Sequence, residues 1–210
     1  LFLGGLFGAG IATGYALNLF NKVSVPEKDA LIRQVQNISA VSKLTYSDSS
    51  VISSIDSDLI RVTVDSSAIS ENVKKAVIAT EDENFMTHNG VVPKAVLRAT
   101  LGSVVGIGSA SGGSTITQQI IKQQVVGDAP TFTRKATEII GALALERYMT
   151  KDEILTTYLN VSPFGRNNKG QNIAGVEEAA QGIFGVNASQ LTIPQAAFIA
   201  GLPQSPIVYS

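Results

Sequence analysis

Four ionisable side chains, Glu81, Asp82, Glu83 and His88, crowd the stretch from Glu81 to Gly90, directly behind the apolar run Ala76-Val77-Ile78-Ala79. A carboxylate at the edge of a buried segment can lose enough water to act as a general base near neutral pH. Charges at a helix end are also an ordinary solvated boundary. The segment therefore takes its meaning from the residues C-terminal to it. Gly112-Gly113-Ser114-Thr115-Ile116-Thr117-Gln118-Gln119-Ile120-Ile121-Lys122 puts permissive backbone ahead of a helix whose first amides lack partners, with Ser114 or Thr115 as its cap. Such an N-terminus suits an anion. Gln118 and Lys122, four apart, share one face with Gln119 beside them, partly opposite Ile116, Ile120 and Ile121. A plain capped amphipathic helix has the same pattern. A nucleotide P-loop is excluded, because no Gly-Lys-Ser/Thr follows the glycines.

A third cluster, Arg134-Lys135-Ala136-Thr137-Glu138, lets two cations and a carboxylate converge on one side of a helix. If exposed, such pairing contributes only about 0.3–0.5 kcal/mol and means little. Two cations beside a carboxylate could instead hold a diphosphate and orient the acid. His88 is the only imidazole, and no G-x-S-x-G elbow accompanies it, so a Ser-His-Asp hydrolase is disfavoured. A structural histidine bracing the loop after Glu81 is the preferred reading.

These groups need elements to carry them. Val73, Ala76, Val77 and Thr80 share the face of a helix that delivers Glu81 at its end. Pro93 suits the first turn of a helix running through Val96, Leu97 and Leu101, and 101–113 reads as a flexible Gly/Ser loop. Thr133 to Met149 is expected as a long helix. Capping boxes at Thr150-Lys151-Asp152-Glu153 and Thr192-Ile193-Pro194-Gln195 open two more, and Asn172 to Phe184 is expected to be helical up to Gly185. No internal repeat is present.

Residues 1–21 carry no charge, and a helix of that length spans about 30 Å, the hydrocarbon thickness of a bilayer. Gly4/Gly8 and Gly10/Gly14 are small-xxx-small pairs suited to close contact in lipid. A cleaved signal peptide is the rival, without a basic n-region to support it. A membrane anchor is therefore expected over 1–21. Residues 22–65 should form a juxtamembrane linker, with an amphipathic helix through Ala30, Leu31, Val35 and Ile38 and then two or three short strands. Residues 66–210 should be the main domain.

Composition narrows the chemistry. Of 210 residues, 44% are hydrophobic and 16% charged, so a packed core is expected rather than disorder. A net charge of −1 argues against a nucleic-acid partner. With no cysteine and one histidine, zinc fingers, iron–sulfur sites, disulfide scaffolds and thiol nucleophiles are excluded. Carboxylates, hydroxyls, amides, Lys and Arg must do any catalysis.

In order, Glu81-Asp82-x-x-Phe85-x-x-His88-x-Gly90, Gly112 to Gln119 with Lys122, Arg134-Lys135-x-x-Glu138 and Lys151-x-x-Ile154-Leu155-x-x-Tyr158-Leu159-Asn160 resemble the peptidoglycan glycosyltransferase domain of class A penicillin-binding proteins. Leu191 to Pro206 is similar to that family's closing segment, so the resemblance covers about 44–210. It implies a mainly α, lysozyme-like domain with a small β element near the membrane, an N-terminal transmembrane helix and a membrane-dipping jaw. It further implies a single-pass protein of the bacterial cytoplasmic membrane, with its catalytic domain outside. The implied reaction polymerises lipid II into β-1,4-linked glycan with release of undecaprenyl diphosphate, inverting the anomeric carbon. Glu81 would be the general base. Glu138 would be a second catalytic carboxylate, orienting the cations or helping to hold a divalent ion such as magnesium or manganese, which the sequence does not require. Lys122, Arg134 and Lys135 would meet the leaving diphosphate, with Asp82, Phe85, Ser114, Thr115, Gln118 and Gln119 as further substrate-binding positions. The 101–113 loop would cover the acceptor channel. Moenomycin-type inhibitors and a following transpeptidase domain complete the implied partners.

Some positions depart from the family pattern. Thr156 stands where the family often has Glu, 161–170 is longer and more polar, and Glu177 and Glu178 replace small residues. No duty is assigned to any of them. No Ser-x-x-Lys occurs, so no penicillin-reactive serine of that type is present. Two other classes fit the carboxylates: a lysozyme-like glycan-cleaving enzyme, and a non-enzymatic membrane-anchored scaffold. The Lys/Arg cluster discriminates, since a glycan cleaver has no diphosphate to bind.

Overall fold

The computed structural model describes residues 26–36, 43–45, 51–54, 59–60, 62–96, 113–126, 132–166 and 172–204. The expected anchor at 1–21, the loop 101–112 and the continuation of the Pro93 helix beyond residue 96 lie outside the described residues. Among the described residues, no helix is long and apolar enough to cross a membrane.

The chain is mainly helical. Its first helix, α1 (Lys28–Gln36), buries Leu31 and Val35 completely. It packs against α4 (Phe132–Tyr148), against α5 (Lys151–Val161) and against a π-helical turn, Lys122–Val126. The amphipathic helix expected within residues 22–65 is thus part of the core. Apolar residues four apart on a short helix must find a partner face, and the flanks of α4 and α5 supply it.

Strands β1 (Lys43–Thr45) and β2 (Val51–Ser54) pair antiparallel with Leu44 opposite Ser53. Strand β3 (Leu59–Ile60) instead joins β5 (Asn172–Ala174) in parallel, and β5 pairs antiparallel with β4 (Pro163–Arg166), giving the order β3-β5-β4. Asn172 to Ala174 is therefore not helical, contrary to the sequence expectation. Gly175, at φ +93°, turns the chain between β5 and α6 (Val176–Ala179), where a Cβ would stand 3.0 Å from the Asn160 carbonyl oxygen. Ile173, Ala174, Val176, Ala179 and Ala180 are all buried, and that apolar spacing alone cannot tell a strand-turn-helix from one helix. The helix then passes into a second π turn, Ala180–Phe184.

The core surrounds α3 (Ile116–Ile121), which packs against both α4 and α5. Ile116, Ile120 and Ile121 are fully buried, each contributing about 1.5–3 kcal/mol by removal from water. Beside it, α2 (Glu71–Glu81) packs along α7 (Ile193–Gly201), the one burying Val73 and Val77, the other Ala196, Ile199 and Ala200. Ser70 caps α2 by accepting from the Asn72 N–H at 3.2 Å, and its hydroxyl donates to the Leu191 carbonyl at 3.0 Å. Both expected capping boxes form, at Thr150/Glu153 and Thr192/Gln195, and Thr115/Gln118 forms another. The effect is to fix where α3, α5 and α7 begin. Asn160, near the end of α5, donates to the Val64 carbonyl at 2.9 Å and accepts from the Val64 N–H at 3.0 Å, pinning the segment that leads from the strands into α2.

Candidate active site

Glu81 is the last residue of α2, so the helix delivers its carboxylate to the boundary of the core. Gln119, on α3, donates its Nε2 hydrogen to Glu81 Oε2 at 2.8 Å. The Gln119 Oε1 in turn accepts from the Tyr158 hydroxyl of α5 at 3.2 Å. Glu81 Oε1 is shielded from solvent and has no hydrogen-bond partner among the described residues. One oxygen of this carboxylate is held and the other has no partner among the described residues. Burial, and then the negative charge of Glu81, push the Tyr158 phenol well above its ordinary range, with the Ser162 hydroxyl opposing in part. The phenol is therefore neutral and able to donate.

Asp82 follows as the C-cap residue of α2 and is almost wholly buried. Its Oδ2 accepts from the Ile116 N–H at 3.0 Å, giving one of the first amides of α3 a partner. His88 Nδ1 accepts from the Gly90 N–H at 3.0 Å, so its Nε2 carries the hydrogen that faces Asp82 at 2.9 and 3.0 Å. This is the bracing role expected of the sole histidine. Thr115 closes the loop by donating its hydroxyl to the Gly90 carbonyl at 2.5 Å. Gly90 has φ +87°, and a Cβ there would lie 2.7 Å from the Ala142 carbonyl oxygen, so only glycine lets the loop lie against α4.

Beneath this loop Lys151 Nζ donates to the His88 carbonyl at 2.7 Å and to Glu146 at 2.8 Å, and stands 4.4 Å from the centre of the buried Phe85 ring. Thr117 donates to the same Glu146 at 2.6 Å. Lys151, Glu146 and Thr117 drew no chemical assignment from sequence. Lys151 stood at the head of its motif and Thr117 within the Gly112–Gln119 motif, while Glu146 carried no signal.

The cationic cluster sits at the other end of α3. Glu138, 2% exposed, is hydrogen-bonded through Oε2 to Lys135 Nζ at 2.8 Å, while its Oε1 lies 3.2 Å from Arg134 Nε as an ion pair without hydrogen-bond alignment. Lys135 Nζ also donates to Ser114 Oγ at 2.9 Å, tying α4 to the residue just before the Thr115 cap. From Thr115 to Gln119 the helix rises about 6 Å, so the two carboxylate clusters flank one short element. Lys122 is exposed at the end of α3, where the chain enters the π turn, a geometry frequent at functional sites. No group of three or more His, Cys, Asp or Glu side chains converges among the described residues, and both oxygens of Glu138 face cationic side chains.

The structure thus gathers the named positions into two sets. Glu81 and Gln119 meet at one place, and Ser114, Arg134, Lys135 and Glu138 at another. Asp82, Phe85, Thr115 and Gln118 lie inside as framework. Gln118 was expected on the Lys122 face, but it is 1% exposed because its Oε1 accepts from the Thr115 N–H at 3.0 Å within the capping box. Tyr158, read from sequence only as part of a motif, touches Gln119 directly.

The family model described as Transglycosylase matches residues 48–210. Penicillin-binding protein 1A of Clostridium perfringens strain 13 is 36% identical over 199 residues, covering 93% of this chain and 28% of its own length. Penicillin-binding protein 1A/1B of Bacillus subtilis strain 168 is 41% identical over 68% of this chain and 15% of its own length. For penicillin-binding protein 1A of Neisseria gonorrhoeae the values are 41%, 67% and 17%. The chain thus spans less than a third of the length of these relatives.

Proposed function

The chain belongs to the transglycosylase family and is a peptidoglycan glycosyltransferase, and from that premise we propose that it polymerises lipid II with Glu81 as the general base. The observation that carries the reading is the asymmetry of Glu81, with one oxygen held by Gln119 and the other shielded and unpartnered among the described residues. An acceptor sugar 4-hydroxyl donates its proton to that unpartnered oxygen as its own oxygen attacks the donor's anomeric carbon. The new glycosidic bond forms while the bond to the diphosphate breaks, with inversion and no covalent sugar–enzyme intermediate. Undecaprenyl diphosphate leaves with the bonding electrons. Charge developing on it is met by Lys135 and Arg134, which Glu138 holds in place, and by the exposed Lys122. No step requires a divalent cation at Glu138.

The uncharged stretch 1–21 supports a single-pass anchor in the bacterial cytoplasmic membrane, with the catalytic domain on the outer face where lipid II is presented. Moenomycin-type inhibitors would compete for the diphosphate site, and a transpeptidase domain would follow in the complete protein. The test is conversion of purified lipid II to long glycan by this chain in detergent, against Glu81→Gln. Full turnover by the variant would reject Glu81 as the base. Short soluble fragments released from preformed glycan would point to a cleaving enzyme instead.

A further inference from the structure

We infer that Tyr158 is a positioning residue for the reaction, anchoring the side-chain amide of Gln119 where its NH2 meets Glu81. The inference rests on Glu81 acting as the base. An amide has a donating and an accepting edge, and rotation by half a turn exchanges them. With the accepting edge toward Glu81, the carbonyl oxygen of Gln119 would meet a carboxylate and repel it. An ionised Glu81 only accepts, so the donating edge faces it at 2.8 Å, and the other edge must take a hydrogen from Tyr158 at 3.2 Å. Tyr158 is fully buried on α5, between the Thr150/Glu153 box at its start and the Asn160 clamp on Val64 at its end. Its hydroxyl therefore stays in place; the acceptor-only Glu81 sets which edge of the amide turns toward it, and Tyr158 holds the opposite, carbonyl edge. Burial and the Glu81 charge keep the phenol protonated, so it remains a donor at every working pH. The consequence is that Glu81 Oε2 stays occupied and Oε1 is the oxygen left for the sugar hydroxyl.

A buried tyrosine hydroxyl needs some partner in any case, so a lower melting temperature in Tyr158→Phe would decide nothing. The deciding measurement is a double-mutant cycle on lipid II polymerisation with Tyr158→Phe, Gln119→Leu and the pair. Tyr158→Phe alone should lower kcat about tenfold with KM within about twofold. In the Gln119→Leu background the same change should have no further effect on kcat. Equal loss in both backgrounds, or an unchanged kcat in Tyr158→Phe, would overturn the inference. Gln119→Glu supplies an arm that does not depend on Tyr158→Phe folding. It keeps the acceptor for Tyr158 but removes the donor to Glu81, so it should be as slow as Gln119→Leu, and a wild-type rate would overturn the relay. Glu81→Gln run alongside separates the two readings: if it stays active, the base assignment fails. If it is inactive while the cycle is additive, only the role of Tyr158 fails.

Discussion

Glu81 and Glu138 are both glutamates on helices beside α3, and their surroundings are opposite. Glu138 has a cation near each oxygen, Lys135 hydrogen-bonded at 2.8 Å and Arg134 Nε at 3.2 Å without hydrogen-bond alignment. Glu81 has one neutral amide donor at 2.8 Å and a second oxygen that is shielded and, among the described residues, without a cation or hydrogen-bond partner. The proposed roles, base for Glu81 and cation placement for Glu138, rest on these contacts, since the side chains are identical.

The largest expected effect breaks the comparison on the Glu81 side. Glu81→Gln should lower the polymerisation rate by about 10²–10⁴-fold while the thermal melt stays close to that of the parent chain. A melt that collapses along with the rate would mean that Glu81 holds the fold together and does not serve the chemistry. On the other side, if Lys135 meets the leaving diphosphate as proposed, Lys135→Ala should cost about 10²-fold in rate. A smaller loss that disappears in high salt would make Lys135 a surface contact. Glu138→Ala sharpens the contrast, because it leaves Lys135 and Arg134 without their shared anion. Breaking a buried pair this way should destabilise the domain by about 3 kcal/mol in a denaturant titration, whereas Glu81→Ala should cost far less.

Smaller effects concern the frame. Gly90→Ala should lower stability by more than about 1 kcal/mol in equilibrium unfolding, because φ is +87° and the added carbon would press on the Ala142 carbonyl. The smallest expected effect is at the start of α5. The backbone N–H of Thr150, and then its hydroxyl, hold the exposed Glu153 carboxyl below its ordinary value. A lowered value means that the stabilisation is present above the ordinary carboxylate range and fades as pH falls through the folded value. Glu153→Ala should therefore melt slightly earlier than the parent at neutral pH, and the difference should vanish in acid. A difference that persists in acid would place the effect in helix propensity.

Much of the site is legible in the chain itself. The order of motifs, the helix that ends at Glu81, the Thr150 and Thr192 capping boxes and the i,i+3/i,i+4 convergence of Arg134, Lys135 and Glu138 are local, and local spacing fixes them. What the local pattern cannot carry is which way a polar side chain turns when a distant element offers it a partner. Gln118 reads as an exposed neighbour of Lys122 and is buried in a cap. Asp82 and Thr115 read as substrate contacts and spend their oxygens on Ile116 and Gly90. Asn172 to Ala174 reads as helix and becomes a strand because Leu59 and Ile60 pair with it from more than a hundred residues away.

Residue types and their spacing therefore determined the family, the helical elements and the two clusters of charge. Tertiary packing alone decided that Tyr158 meets Gln119, and Gln119 meets Glu81, across three helices. The reason is that a hydrogen bond is directional and short, so its existence depends on where helices cross, and crossing positions are set by apolar faces that are interchangeable at the level of sequence.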